Sequence, residues 1–432
     1  MMFSGAAVWW AGFVLAAGIA PQAPQVPGSL RPAAAPIDLT YEDLPKLLKD
    51  RGLLMKAAAL SVKASRLRTD YLADAGLPQV SVVGGGQGYQ TGSLVPTVEP
   101  YGGLQASMPL YQGGKYEVEA GSRMVQLTIV QVEEEQIFRR ELAGVQEVYW
   151  QLLFQRELAR LLGEIERRNA DIQKAASKRA AKGLVTPTEV TAFAFYGSQL
   201  QERIESAQHE GAILQGALAS RLALEDETSF KTAETIPHQH DEAFGAKGFD
   251  PAVDPGVRKL EAQRTLQEWQ SQRWAKWSAP SLDLHGAYLL YLSSDRSFSP
   301  LTDRLEWALG VRFSVPLYGG RQFDREAESA LTVVQAYDEH IRHERRKFET
   351  DVWLHQEELK HLHHLVVSAE ALAPRMERIW DETLAEYDRG VRTSQDVLSV
   401  LERLATVKVE QVERRRDYQV FKVKLDALVG KR

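Results

Sequence analysis

Pro109-Leu110-Tyr111-Gln112-Gly113 recurs as Pro316-Leu317-Tyr318-Gly319-Gly320. The same offset carries Lys182-Gly183-Leu184-Val185-Thr186 onto Arg389-Gly390-Val391-Arg392-Thr393, and Glu189-Val190 onto Asp396-Val397. Roughly 80 residues thus align without a gap, the mark of a duplicated unit. Upstream, Pro78, Val80, Val82 and Gly84 match Pro280, Leu282, Leu284 and Gly286 at a slightly shorter offset, which places a loop of variable length between the two anchors. Each half reads as helix, strand, loop, strand, long helix, tight turn, helix. The halves span 37–224 and 256–430, with β-hairpins expected over 78–111 and 280–318, tips over 183–188 and 390–394, and a polar connector over 225–255.

The strands flanking these anchors alternate. Leu305, Trp307, Leu309, Val311, Phe313 and Val315 fall on one face, with Glu306, Ala308, Gly310, Arg312 and Ser314 on the other. Leu282, Leu284, Gly286, Tyr288, Leu290 and Leu292 alternate with Ser281, Asp283, His285, Ala287, Leu289 and Tyr291, cleanly at first and then with less contrast. About eleven residues of period two, apolar on one side and wet on the other, match a tilted membrane-spanning strand. The first hairpin carries a weaker version, with Val80 and Val82 before Gly84-Gly85-Gly86 and a return of Leu104, Ala106 and Met108. Four such strands cannot close a barrel whose smallest form has about eight, so the subunit is expected to oligomerise. Proline at Pro109 and Pro316 ends strand pairing, and glycine at Gly113 and Gly320 supplies the backbone freedom to swing a strand into a helix.

From Lys115 to Lys182 there is no proline, and Val145, Val148, Leu152, Leu158, Leu162 and Ile165 recur at threes and fours. At 1.5 Å per residue this predicts a rod of roughly 100 Å. A first helix is expected from Thr40, in the capping-box sequence Thr40-Tyr41-Glu42-Asp43, to about Ala75. Shorter partners are expected from about Thr188 to Leu224 and from Ser394 to Val429, so that two short helices stacked end to end match one long one. Pro374 predicts a kink or break in the second long helix. Trp274 and Trp277 suit either an interfacial aromatic belt or helix packing.

With 44% apolar and 25% charged residues the composition is that of a folded chain, and a net charge of −6 offers no positive field to gather nucleic acid. The absence of cysteine removes disulfides, thiolate metal sites and thiol nucleophiles. Residues 1–20, apolar from Phe3 and ending Gly18-Ile19-Ala20, read as a secretory signal peptide, with a retained anchor helix as the alternative. Residues 21–36 read as a linker. No nucleophile motif, cofactor fingerprint or phosphate loop is legible, since Gly84-Gly85-Gly86-Gln87-Gly88 lacks the lysine and the following helix. His238-Gln239-His240-Asp241, His340/His343 and His361/His364 have metal-compatible spacings without a clear third ligand, so neither metal nor cofactor is expected.

The repeated helix, β-hairpin, Pro-Leu-Tyr-x-Gly, long helix and glycine turn followed by Asp396-Val397-Leu398 resembles the TolC-type outer-membrane efflux protein family. The likeness runs from about Ile37 to Gly430 and is most specific over Tyr387 to Leu398. It implies an α+β membrane protein of long coiled-coil hairpins with two β-hairpins per subunit, closing as a homotrimer with a twelve-stranded barrel in the outer membrane and a twelve-helix periplasmic tunnel. It further implies a periplasmic adaptor and an inner-membrane pump as partners, no enzymatic activity, and a passive exit duct for efflux or type I secretion. Gate roles carry over to Tyr387, Arg392 and Asp396 with Thr188 and Glu189 of the neighbouring tip, Arg392 being expected to face Glu189. Adaptor docking carries over to Gly183, Leu184, Val185, Thr186, Gly390, Val391, Arg392, Thr393 and Ser394. Ser399 departs from the family, which has a second aspartate there, leaving one acidic ring at Asp396. Two plainer readings stand beside this one. The tip residues Thr188 and Ser394 could simply cap helices, and the whole chain could be a non-channel coiled-coil scaffold of the cell envelope.

Overall fold

The computed structural model describes residues 37–89, 97–224, 230–232, 235–237, 249–291 and 304–430. The expected signal peptide and linker, much of the connector with His238, His240 and Asp241, and both outer hairpin loops lie outside the described residues.

Two rods organise the chain. Helix α3 (Lys115–Ala180) is 66 residues long and α6 (Gln322–Asp388) 67, each about 100 Å at 1.5 Å per residue. Beside α3 lie α1 (Leu44–Arg51) and α2 (Leu53–Asp74) toward the sheet, and α4 (Pro187–Arg221) toward the other end. Beside α6 lie α5 (Pro255–Ala275) and α7 (Ser394–Val429) in the same order. α3 also packs on α5 and α7, which joins the two halves. The core runs along these seams. Val145, Leu152, Leu162 and Ile165 of α3 are buried with Phe193, Leu200 and Leu218 of α4 and with Val397, Leu401 and Leu404 of α7. Phe348, Val352, Leu359 and Val366 of α6 close on Tyr418, Leu425 and Val429 of α7.

Two helix expectations need correction. The first helix is split at Gly52, whose ψ of 124° turns the chain before α2 restarts at Leu53. A Cβ at Gly52 would sit 2.5 Å from the Leu48 carbonyl oxygen, so the kink requires glycine. Its opening turn, Tyr41–Asp43, is a short 3₁₀ turn in which Thr40 donates to the Asp43 carboxylate. The break foreseen at Pro374 is absent, and α6 runs through it. Packing of Val366, Ala373 and Trp380 on either side holds the helix where the proline costs one ladder bond.

The strands β2 (Gln79–Tyr89), β3 (Thr97–Tyr111), β5 (Ser281–Tyr291) and β6 (Arg304–Ser314) form one antiparallel sheet in the order β2-β3-β5-β6. The two hairpins are therefore fused through β3 and β5, with a bulge at Leu110. Pairing puts Val82, Leu104, Tyr288 and Trp307 in one row across all four strands, and Val80, Ala106, Gly286 and Leu309 in the next but one. Between them run Ser81, Gln105, Ala287 and Ala308 on the opposite face. Trp307, Leu309, Val311 and Phe313 are 58 to 76% exposed, an apolar face that nothing among the described residues covers. Tyr101 covers the strand glycine Gly85, its ring within 3.3 Å of where a Cβ would stand. A further two-residue parallel pair, β1 (Ile37–Asp38) with β4 (Phe230–Lys231), was not foreseen; it ties the segment before α1 to the connector against α3, where Arg156 donates to the Phe230 carbonyl.

At the strand-to-helix turns Gly113, Gly114 and Gly320 have φ of 59°, 74° and 67°, the left-handed region that side chains resist by about 1–2 kcal/mol. A Cβ on Gly113 would also lie 2.4 Å from that of Ala279, whereas Gly320 has open space around it. Gly113→Ala is accordingly expected to lower the thermal midpoint of the purified protein more than Gly320→Ala. Equal midpoints would show that the Ala279 contact relaxes. Trp274 and Trp277 pack on Phe323 with centroids 5.9 and 4.7 Å away, so they brace the α5–α6 seam beside these turns.

Candidate functional site

At the end of the rods remote from the sheet, two turns join α3 to α4 and α6 to α7. They are built alike. Gly183 and Gly390 have φ of 70° and 80°; Leu184 N–H bonds Arg179 O at 3.0 Å and Val391 N–H bonds Glu386 O at 2.9 Å. These left-handed glycines satisfy the last helical carbonyls. Leu184 and Val391 are left 72 and 71% exposed at the extremities.

Each following helix opens with a capping box, centred on Thr186 and Thr393 rather than on Thr188 and Ser394. Pro187 takes the first helical position, where its missing N–H costs nothing. The Asp396 carboxylate accepts from the Thr393 backbone at 3.0 Å and its hydroxyl at 2.8 Å. Those bonds hold its pKa below the usual value. Arg392 donates to Glu386 of its own tip at 2.7 Å. Thr188 lies exposed in the first turn of α4.

The tips are joined through Tyr387, which is 2% exposed. Arg179, at the end of α3, lies 4.1 Å over its ring and donates to its carbonyl oxygen at 2.9 Å. Arg179 also pairs with Asp388 at 3.3 Å. The Tyr387 hydroxyl meets that of Ser394, itself buried, at 3.2 Å. Hydrogen bonding from Ser394, and then from Thr186, outweighs slight desolvation and keeps Glu189 below the ordinary glutamate range. Tyr387, Ser394 and Glu189 thus meet at one junction, a grouping the sequence reading did not make, since it set Ser394 among the docking residues; within this chain Arg392 pairs with Glu386 rather than Glu189, and Asp396 caps its own tip. Arg179 was missed. Its one sequence signal is the repeat itself, which aligns it with Glu386, so the two tips carry opposite charges at equivalent places.

Farther up, Glu377 of α6 binds Arg168 of α3 in a fork of 2.7 and 3.1 Å and also pairs with Lys408 of α7. Partial burial opposes its ionisation, but the bonds and charges of Arg168 and Lys408 outweigh this and depress its pKa. A depressed carboxylate contributes stability above its unfolded value, near 4.5, and loses it as the pH falls through the lower folded value. Glu377→Gln is expected to cost about 1 kcal/mol at neutral pH, because all three side chains are partly wetted, and to flatten the acid limb of the thermal midpoint. An acid limb identical to that of the parent would remove Glu377 from the pH dependence.

No helix among the described residues is long and apolar enough to cross a membrane. No curated protein matches the chain in sequence. Residues 44–223 match the family described as outer membrane efflux protein. Among solved structures, CusC is 14% identical with a TM-score of 0.72, covering 94% of this chain and 98% of its own. The outer membrane protein VceC of Vibrio cholerae gives 14% and 0.73 over 90% and 96% of the two chains. The CmeC outer membrane channel of Campylobacter jejuni gives 15% and 0.74 over 90% and 85%. The first repeat thus matches outer membrane efflux proteins in sequence, and the whole chain shares the fold of CusC, VceC and CmeC.

Proposed function

We propose that the chain is one subunit of a passive exit duct in the bacterial outer membrane, open to the periplasm through a gate at the helical tips. The observation that carries this reading is the four-stranded sheet: one apolar face uncovered, two open edges at β2 and β6, and two rods of about 100 Å leading away from it. An open edge in a bilayer leaves backbone groups without partners, so the sheet has to be completed by further copies. A homotrimer supplies twelve strands and a water-filled lumen, and the fold shared with VceC and CmeC supports that arrangement. The helices would then form the periplasmic tunnel.

The tip turns are the proposed gate and docking surface. Tyr387, Glu189, Thr188, Arg392 and Asp396 would hold the entrance closed. The exposed Leu184 and Val391, with Gly183, Val185, Thr186, Gly390, Thr393 and Ser394 around them, would receive a periplasmic adaptor coupled to an inner-membrane pump. Membrane fractionation and single-channel recording in a planar bilayer test the duct. Outer-membrane recovery with a large conductance is the expected result, and a soluble, non-conducting protein would end the proposal in favour of an envelope scaffold.

A further inference from the structure

Beside the junction of sheet and helices, the polar face of the strands and the ends of α2, α3 and α5 border an open cavity of about 720 Å³, a volume typical of sites for small organic ligands. Its charge runs against that of the chain. Lys115, Arg273 and Arg312 line it, and among the described residues none of their side chains makes an ion pair or hydrogen bond. The two acids in the lining are engaged: Glu119 with Arg123 at 2.8 Å, and Asp283 with Gln112 at 2.7 Å. A protein of net charge −6 therefore keeps three uncommitted cations around one hollow. The amino end of α3, which begins at Lys115, adds its partial positive charge.

The rest of the lining is suited to an aromatic body. Trp274 and Trp277 border the cavity, with Phe323 braced against both, so the rings are fixed before any ligand arrives. His285 contributes a ring whose Nδ1 is buried without a hydrogen-bond partner. The cavity lies on the side of the sheet away from its apolar face. His285 and Arg312 stand on the face opposite Leu284, Val311 and Trp307, and that second face is the uncovered apolar one.

We propose that this cavity binds an organic anion with an aromatic body, a carboxylate or sulfonate whose charge meets Arg273, Arg312 and Lys115 while its ring lies against the tryptophans. As a station for exported cargo the site rests on the duct reading, but its binding chemistry does not. A metal cation is disfavoured by the same three charges.

The test is calorimetric titration of the full-length protein, in a non-ionic detergent, with three probes of one shape: naphthalene-1-sulfonate, 1-naphthalenemethanol and 1-naphthylmethylammonium. Saturable sulfonate binding at least about tenfold tighter than either of the others is expected from one or two charge-assisted bonds. Arg273→Glu with Arg312→Glu should reverse the preference toward the ammonium probe, a gain that misfolding cannot imitate. Arg273→Gln with Arg312→Gln should equalise the three probes. Equal affinities in the parent protein, or a sulfonate isotherm unmoved by charge reversal, would overturn the site. Planar-bilayer conductance of the same samples separates the two readings: a conducting protein that does not discriminate loses only the site, and a non-conducting one that selects the sulfonate loses only the duct.

Discussion

Leu309→Arg is expected to leave the helical rods folded and to keep the protein out of the outer membrane. Leu309 is the sixth residue of the eleven in β6 and is 71% exposed on the apolar face, in the row of Val80, Ala106 and Gly286. If that face meets lipid, an arginine near the bilayer midplane costs about 2–4 kcal/mol per subunit, repeated in every copy of the assembly. Ala308→Arg is the control. One residue away, it points to the opposite face beside Ser81, Gln105 and Ala287, where water would solvate the guanidinium. The measurement is the fraction of each variant recovered in outer-membrane vesicles, with helix content followed in parallel. Equal recovery of the two variants would remove the bilayer from the apolar face and with it the barrel.

That contrast was readable in the sequence because a strand has a period of two. Once Leu305 to Val315 alternated, the faces followed, and the register only aligned them with Leu282 to Leu290. The Pro-Leu-Tyr turns were legible for a similar reason, since proline and glycine act on the backbone locally. Features resting on distant partners were not. Nothing in Ile37-Asp38 announces a pairing with Phe230-Lys231, and a two-residue strand has no period to detect. Pro374 was read as a kink or break because propensity is local, whereas coiled-coil packing on both sides of it keeps the helix unbroken. Gly52 was passed over because an isolated glycine in a helical pattern is ordinarily tolerated. The tip residues were found by repeat and resemblance, but their partners were not. Asp396 and Glu189 fit a capping box as well as they fit a gate, and both are engaged in that local chemistry here. The Arg179–Tyr387 contact joins the ends of two different long helices, which no spacing rule connects.

Tyr387→Ala is expected to give the largest opening of the duct among single changes at the tips. The ring is fully buried between the two turns, and losing an aromatic side chain from such a place costs about 3–5 kcal/mol. It would also release the Arg179 guanidinium stacked on the ring and the hydroxyl contact with Ser394, through which the second tip reaches Glu189 of the first. If even 3 kcal/mol of this favours the closed form, its loss moves the open-to-closed ratio by about 100-fold, enough to turn a rarely conducting duct into one that is mostly open. Tyr387→Phe keeps the ring and loses one hydrogen bond, about 1 kcal/mol, so its conductance should stay near that of the parent. Arg179→Ala should fall between them, because it removes the stacking, the bond to the Tyr387 carbonyl and the pair with Asp388 while leaving the ring in place. Arg392→Ala removes an exposed pair with Glu386 inside one tip and should loosen the gate least of the three non-conservative changes. Single-channel conductance and open probability of the four variants give the ranking. Were Arg392→Ala to open the duct as far as Tyr387→Ala, closure would be carried by a contact of Arg392 with a neighbouring subunit rather than by the Tyr387 junction between the two tips of one chain.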